Sequence, residues 1–274
     1  MDRHDFRSPA VEHNRRAWDT LVKNKQRFTT PAPDEDVRDP FAKIDGAGWL
    51  GSIAGKRLLC LAGGGGRQSA LYAAAGAIVT VVDISPEMLA LDRQVAAERG
   101  LDIRVVEASM DDLSALETAG FDVVMQPVST CYVPDVLAVY REVARVTRGG
   151  GVYISQHKQP ASLQASVEPG PRGYELREPY YRSGPLPPVV GSPHREDGTL
   201  EFLHRWEELI GGLCRSGFVV EDLLEPVHAD GQAATSSFGH RSGYLAPYVR
   251  IKARRLANAA EGARQAALWT PQSD

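Results

Sequence analysis

A glycine turn between two apolar runs constrains the fold of this chain more than any other feature. Residues 63–66 are four consecutive glycines that follow the apolar run 58–61, and a helix is predicted from Gln68 onward. Glycine at such a turn lets the backbone approach a ligand that a Cβ would exclude. A second apolar run, 78–82, ends at Asp83. In a parallel sheet Asp83 lies beside the turn, where its carboxylate can accept two hydrogen bonds from a ribose diol. We therefore expect a ligand that contains a nucleoside.

Strand and helix patterns alternate from residue 57 to residue 157. Such alternation predicts an α/β fold: a Rossmann-like, doubly wound, seven-stranded sheet, mostly parallel with a C-terminal antiparallel hairpin strand, and helices on both faces. The predicted strands cover 57–62, 78–83, 102–106, 121–126, 151–157, 217–224 and 247–254. The predicted helices cover 12–27, 44–54, 67–75, 86–99, 111–118, 134–147 and 205–215. Ser85 and Pro86 are typical of a helix start, and the glycines 149–151 predict a left-handed cap at the end of helix 134–147.

The chain divides into five predicted segments. They are an N-terminal helical cap (1–54), a ligand-binding core (55–157), a lid or substrate insertion (158–204), a completion of the sheet (205–256) and a tail (257–274). Residues 158–198 are rich in proline and show no periodic apolar stripe. A loop of this length is typical of a lid or binding segment, or of a disordered stretch.

Charge and cysteine content exclude several classes of function. The net charge of -4 gives no general attraction to nucleic acid or to anionic membranes. No apolar run is long enough to span a bilayer and the N-terminus lacks an apolar leader, so we expect a cytoplasmic protein. The three cysteines, at positions 60, 131 and 214, are too far apart to suggest disulfides or a zinc site, and no metal is expected.

Two classes of cofactor share a glycine turn and a strand-end acid: dinucleotides and S-adenosylmethionine. The dinucleotide fingerprint needs a third glycine where helix and strand pack closely. Gln68 or Ser69 occupies that position here, depending on the register of the glycines. A nicotinamide-dependent oxidoreductase is therefore the weaker alternative, although the turn alone does not exclude it.

Further motifs follow in a fixed order along the chain. They are residues 60–66 at the turn, Asp83 at the second strand end, 107–113 after the third strand, 121–127 at the fourth strand and 140–152 at the following helix and strand. In this order, residues 55–255 resemble the class I S-adenosylmethionine-dependent methyltransferases. The variant turn, with His13, Asn14 and Trp18 upstream, resembles a bacterial small-molecule subgroup. The resemblance implies an enzyme that transfers a methyl group from S-adenosylmethionine to an oxygen, nitrogen or carbon nucleophile.

The same resemblance implies which residues bind the cofactor. They are Ala62, Gly63, Gly64, Asp83, Ile84, Ser109, Met110 and Gln126. The implied roles are the ribose hydroxyls for Asp83, the adenine for Ile84, Ser109 and Met110, and the methionine end for Gln126. Cys60 replaces the usual acid of the first motif and Ala62 its first glycine. These two departures leave open a non-catalytic binding protein that kept the fold.

Candidates for chemistry lie near the carboxyl edge of the predicted sheet. His157 follows the fifth strand and is the candidate general base, because histidine accepts protons near neutral pH. Tyr132, His204 and Tyr181 are candidate contacts of a small-molecule acceptor. Trp18 and Asn14 are placed to cover the cofactor, or Trp18 instead anchors the N-terminal helix. No pattern indicates nucleic-acid binding, and the oligomeric state, monomer or homodimer, is open.

Overall fold

A computed structural model describes residues 7–257 of the chain, and its centre is a seven-stranded sheet. The strands are β1 (Arg57–Leu61), β2 (Ile78–Asp83), β3 (Ile103–Glu107), β4 (Phe121–Gln126), β5 (Thr147–Lys158), β6 (Phe218–Leu224) and β7 (Tyr248–Arg255). The helices are α1 (Arg7–Lys23), α2 (Asp34–Arg38), α3 (Phe41–Ile44), α4 (Gln68–Ala74), α5 (Pro86–Arg99), α6 (Val136–Val146), α7 (Pro160–Gln164), α8 (Gly212–Arg215) and α9 (Phe238–Ser242). A π-helical turn, Glu207–Gly211, leads directly into α8.

The strand order is β3-β2-β1-β4-β5-β7-β6, as predicted for a doubly wound sheet. Strands β1 to β5 are mutually parallel, and β7 is antiparallel to both β5 and β6. The carboxyl ends of β1, β2, β4 and β5 therefore meet at one edge. In doubly wound sheets ligands bind at that edge.

Alternating strand side chains build two apolar layers, one on each face of the sheet. In β1, Leu59 and Leu61 pack into the layer that contains Tyr140 of α6. Leu58 and Cys60 point the other way, into the layer that contains Leu89 of α5. This period of two is what a strand buried on both faces requires.

Helix α5 begins and ends where local chemistry directs it. The Ser85 hydroxyl accepts a hydrogen bond from Met88 N at 3.1 Å, and Pro86 occupies the first helical position. The helix ends at Gly100 with φ +61°, a left-handed conformation that glycine adopts without strain. The predicted boundaries of this helix are confirmed.

The predicted glycine cap of α6 is wrong. Thr147 ends the helix in an extended conformation and is already the first residue of β5. Gly150 has φ +78° but lies within the strand. The chain thus passes from helix to strand with no loop, and the glycines bend the strand instead.

The predicted helix 111–118 is also wrong, and these residues form turns. One backbone bond, from Leu116 N to Leu113 O at 2.8 Å, lies within the segment, and other backbone groups bond to side chains of α6. Glu142 Oε2 accepts from Leu113 N at 2.7 Å, while Arg145 donates to Leu113 O at 2.7 Å and to Leu116 O at 2.9 Å. These side chains satisfy the groups that a helix would otherwise pair.

The N-terminal region differs from its prediction in three places. Helix α1 spans Arg7–Lys23 rather than 12–27, and α2 lies within the predicted proline linker. The predicted helix 44–54 is absent because the Asp45 carboxylate accepts from the amides of Trp49, Leu50 and Gly51, which closes a turn.

The division into segments stays a prediction, and residues 258–274 of the tail lie outside the described part of the chain. Within 158–204, α7 and two isolated bridges are the regular structure, and hydrogen bonds join this segment to the core. In residues 7–257 no helix is both long and apolar enough to cross a membrane.

Candidate active site

The glycine turn and Asp83 meet as predicted. Asp83 Oδ2 accepts from Gly64 N at 3.0 Å, and Oδ1 accepts from Ser85 N at 3.0 Å. A Cβ on Gly64 would come within 2.9 Å of Asp83 Oδ2, and one on Gly66 within 2.9 Å of the Leu91 carbonyl. Glycine thus lets the turn backbone pack directly against Asp83 and α5, and a carboxylate beside such a turn fits the sugar of a nucleoside. Burial raises the pKa of Asp83, although backbone hydrogen bonds oppose that rise.

Ala62 and Gly63 lie at the start of this turn. Ala62 is half-buried with φ +50°, in the left-handed region where glycine costs less. A Cβ on Gly63 would come within 2.5 Å of Cys60 Sγ. Cys60 is buried and burial raises its pKa, so it stays a neutral thiol and does not replace the missing acid.

Asp92 of α5 holds the glycine turn in place through a hydrogen bond. The sequence analysis did not predict this role. Asp92 Oδ2 accepts from Gly65 N at 2.9 Å, and its Oδ1 accepts from the Ser69 hydroxyl. The side chain is buried in α5, and burial raises its pKa to about 6. A signal was present, because Asp92 lies three residues after Leu89 and three before Val95, on the apolar face of the helix.

The other predicted cofactor residues lie along the same edge but differ in exposure. Ile84 and Ser109 are half-buried, and the Ser109 hydroxyl donates to Asp111. Met110 belongs to the apolar core, and its Sδ lies 3.3 Å from Gln126 Nε2.

Gln126 is occupied inside the protein. Its Nε2 donates to Ser129 Oγ at 2.9 Å, and its Oε1 accepts from the Tyr153 hydroxyl. The residue is buried, so its amide fixes the end of β4 against β5.

His157 and His204 converge on one residue, Thr130. His157 Nδ1 lies 2.8 Å from Thr130 Oγ1, and its Nε2 lies 2.7 Å from Ser155 Oγ. His204 Nε2 donates to Thr130 O at 2.8 Å and to Val133 O at 3.0 Å. His157 is completely buried, and burial, with a smaller effect of His204, lowers its pKa to about 3. The histidine is thus neutral, with both nitrogens engaged.

Tyr132 is hydrogen-bonded to a buried ion cluster that the sequence analysis did not predict, formed by Lys158, Arg195, Glu196 and Glu201. Its hydroxyl donates to Glu196 Oε2 at 2.6 Å, and Lys158 Nζ donates to the same oxygen at 2.8 Å. Lys158 and Arg195 both bond the carboxylate of Glu201. Burial raises the pKa of Glu196, but Lys158 and the hydrogen bonds lower it by a larger amount, so the net shift is downward. The cluster is charge-balanced.

Tyr181 is not brought together with the other acceptor candidates. Its side chain is 79% exposed and packs on Tyr180, with the Arg205 guanidinium 5.3 Å from its ring centre. Tyr132 and His204, by contrast, are buried beside the end of β4.

Helix α1 crosses the carboxyl edge of the sheet. The buried Asn14 donates to Tyr132 O at 2.9 Å and to Leu200 O at 3.0 Å, and it accepts from Leu200 N at 2.7 Å. Trp18 packs edge-on against Tyr132 at 5.6 Å. At the other end, Asp19 accepts from the Ser85 hydroxyl at 2.6 Å. The helix spans the interval between the ends of β4 and β2.

Two cavities flank the ion cluster. The larger, about 790 Å³, lies between α1 and residues 191–198, and the smaller, about 250 Å³, lies beside α7. Arg195 borders both. In the described part of the chain, no group of three or more histidine, cysteine or acidic side chains is arranged to hold a metal ion.

Comparisons with known proteins bear on this site. A family model described as a methyltransferase domain matches residues 59–155. The uncharacterized methyltransferase YbaJ of Bacillus subtilis (strain 168) is 35% identical over 229 residues, which is 78% of this chain and 90% of that protein. A ubiquinone biosynthesis O-methyltransferase of Xanthomonas oryzae pv. oryzae is 33% identical over 117 residues, or 42% of this chain and 49% of that protein.

Solved structures share the fold at lower identity. An S-adenosylmethionine-dependent methyltransferase from Mesorhizobium loti has a TM-score of 0.61 at 24% identity, covering 76% of this chain and 94% of that one. Geranyl diphosphate C-methyltransferase from Streptomyces coelicolor A3(2) has a TM-score of 0.60 at 17% identity, covering 91% and 99%. These likenesses establish a common architecture.

Proposed function

The chain belongs to the class I S-adenosylmethionine-dependent methyltransferases, and we propose that it methylates a small molecule by way of the residues described above. Within that family the function is methyl transfer, and S-adenosylmethionine is the donor. The nicotinamide-dependent oxidoreductase is not favoured, because both the family model and the relative over most of the chain are methyltransferases. A non-catalytic binding protein is not favoured for the same reason.

The observation that carries the proposed site is the Asp83 carboxylate against the Gly64 amide, 3.0 Å apart. A ribose diol would donate hydrogen bonds to this carboxylate, with the backbone of residues 62–64 against the methionine and ribose portions. Ile84, Ser109 and Met110 would border the adenine. Asp92 would keep the turn in shape, since it bonds the turn amide from the helix behind.

Gln126 is proposed to act at the methionine end through the backbone around it, because its side chain already bonds Ser129 and Tyr153. When bound, S-adenosylmethionine supplies a methyl group on a positively charged sulfur, which is already activated toward a nucleophile. The contribution expected of the protein is alignment of the acceptor behind that methyl group and exclusion of water.

A general base is a separate question. An oxygen or nitrogen acceptor that carries a proton needs a group with a free lone pair within hydrogen-bond reach. His157 stays the predicted base, but both of its nitrogens are bonded to hydroxyl groups in the described conformation. Tyr132 and His204 are proposed to shape the acceptor side, with their polar atoms held by Glu196 and by the carbonyls of residues 130 and 133.

The test is calorimetric titration of the full chain with S-adenosylhomocysteine, the demethylated product. We expect binding by the wild type and at least about tenfold weaker binding by Asp83→Ala, because two charge-assisted hydrogen bonds to the ribose are lost. Asp102→Ala removes an exposed carboxylate at the start of β3 and is the matched control. Failure of the folded wild type to bind S-adenosylhomocysteine or S-adenosylmethionine would contradict the proposal.

The remaining predictions concern partners and location. The net charge of -4 supports a small-molecule partner rather than nucleic acid or a membrane surface. A cytoplasmic location and the choice between monomer and homodimer stay predictions. Gel filtration with light scattering measures the oligomeric state.

A further inference from the structure

The smaller cavity lies on the carboxyl edge of the sheet, where the glycine turn also lies. Its wall includes Lys158, the last residue of β5, together with Leu163 of α7 and Tyr248 of β7. Strand β4 separates β5 from β1, and β5 runs three residues beyond the level of Leu61, so two strand spacings across and three residues along, about 14 Å in all, separate Lys158 from Leu61. The cavity therefore opens on the side of the turn opposite to Asp83.

Arg241 is a buried cation in this wall, and no carboxylate of residues 7–257 pairs with it. It is 2% exposed, and its guanidinium donates to Ser162 Oγ at 2.9 Å and to the carbonyls of Ser162, Ala165 and Ser166 at 2.7 to 3.1 Å. All of these acceptors are neutral. Burial lowers the pKa of Arg241; the Tyr174 phenol opposes that shift, and no carboxylate in the described part of the chain does. An uncompensated buried charge is costly unless an anion approaches it.

His194 borders the same cavity, and neither of its ring nitrogens has a hydrogen-bond partner in the described part of the chain. The ring is buried and stacks on Phe238 at 5.4 Å between ring centres. Burial lowers its pKa to about 4, and Arg241, Lys158 and Arg27 add to this effect. The imidazole is therefore neutral near pH 7, with one donor and one acceptor to offer. Buried polar atoms without partners are rare in folded proteins.

Most of the other charged groups in the wall already have a partner of opposite charge. Lys158 and Arg195 pair with Glu196 and Glu201 in the ion cluster. Glu178 pairs with Arg182 at 2.8 Å. Two further charges are exposed to solvent, which screens them: Arg177, paired with Glu175 at 3.6 Å, and Glu168. Among the described residues of this wall, Arg241 is therefore the buried charge that lacks an ion-pair partner.

We propose that this cavity is the acceptor pocket and that it takes a small planar organic anion, with a carboxylate facing Arg241 and a second polar group hydrogen-bonded to His194. The carboxylate is the recognition group, and a positively charged wall distinguishes it from a neutral analogue. The volume of about 250 Å³ admits a substituted benzene, since about 150 Å³ is enough for benzene itself. The acceptor role rests on the proposed function, whereas the preference for an anion rests on Arg241 and His194 alone.

The test compares two probes of the same shape, 4-hydroxybenzoate and 4-hydroxybenzamide, by calorimetric titration of the full chain with and without S-adenosylhomocysteine. We expect the carboxylate to bind at least tenfold more tightly than the amide, because only the carboxylate gains a charge-assisted pair. This comparison uses the wild type and does not depend on a variant that folds.

Whether the probe binds in this cavity is tested with His194→Phe, which keeps a ring that can stack on Phe238 but removes both ring nitrogens. We expect it to weaken binding of 4-hydroxybenzoate about fivefold or more. His13→Phe, at an exposed position beside the larger cavity, is the matched control and leaves binding unchanged.

Equal binding of the two probes, no binding of either, or an unchanged affinity in His194→Phe overturns this inference and leaves the proposed function standing. If the wild type does not bind S-adenosylhomocysteine, that result contradicts the proposed function instead. In that case the probe titrations without S-adenosylhomocysteine still decide whether the cavity takes an anion.

Discussion

His157 illustrates how burial decides what a residue can do. A sequence position at the carboxyl end of the fifth strand favours a base, yet the ring lies within β5, between the hydroxyls of Thr130 and Ser155. A histidine whose pKa is lowered to about 3 binds no proton near neutral pH, and both its hydrogen-bonding atoms are already in use. The contribution of His157 to the free energy of unfolding therefore depends on pH.

The unfolded chain takes up a proton on this residue near pH 6.5, whereas the folded protein does so only near pH 3. Between those values unfolding binds a proton, so stability falls as the pH falls. We expect the stability advantage of the wild type over His157→Gln to shrink by about 2 kcal/mol between pH 7 and pH 5. Urea unfolding at several pH values measures it, with His13→Gln as the exposed control. An advantage independent of pH would contradict the lowered pKa.

For single residues, the sequence predicts where a side chain lies better than whether its polar atoms are free to bind a ligand. Asp83 and the glycines are predictable because a strand end and a turn are local patterns, and the structure brings them to 3.0 Å. The engagement of Gln126 depends on Tyr153, which the chain brings back from 27 residues away. No local pattern reports such a pairing, whereas Asp92 on an apolar helix face was a readable signal.

Among the elements, α1 is held by one buried side chain. Asn14 bonds the backbone of Tyr132 and of Leu200, 118 and 186 residues away, and so ties three segments together. From sequence, anchoring of the helix is suggested for Trp18 alone, and these bonds show that Asn14 anchors it. Trp18 packs on Tyr132 beside it.

We expect Asn14→Ala to lower stability by about 1 to 3 kcal/mol, because one buried and two half-buried backbone groups lose their partners. Amide hydrogen exchange should become faster in α1 while α5 stays protected. Asn24→Ala, at an exposed position after the same helix, is the matched control. Unchanged exchange in α1 would show that Asn14 does not hold the helix.

Elements with strong local signals are the ones that the sequence predicts. The seven strands and α5 are marked by apolar runs and caps. Helix 111–118 failed because Glu142 and Arg145, on another element, bind its backbone groups. Helix 44–54 failed because one carboxylate, Asp45, collects three amides.

On the scale of the whole molecule, the buried ion cluster joins residues 195–201 to β5. Lys158 is 38 and 43 residues from its partners Glu196 and Glu201, so no spacing rule indicates the pairing. Loss of one member leaves charges buried without compensation, which costs more than loss of a surface pair.

We expect Lys158→Met to destabilise the protein by about 3 to 5 kcal/mol. Lys23→Met breaks an exposed pair with Glu87, 3.4 Å long, and should change stability by less than about 1 kcal/mol. Urea unfolding of the two variants measures the contrast. Similar losses in both would mean that water reaches the cluster.

Strand β7 occupies an inner place in the sheet although it is the last strand that the structure describes. During synthesis β6 leaves the ribosome first and finds no partner, since its hydrogen bonds in the sheet go to β7. Until residues 248–255 emerge, the open side of β5 is a bare edge that a neighbouring nascent chain can pair with. The edge of β5 is therefore protected from such mispairing only after the eight residues of β7 have been synthesised and have paired with it.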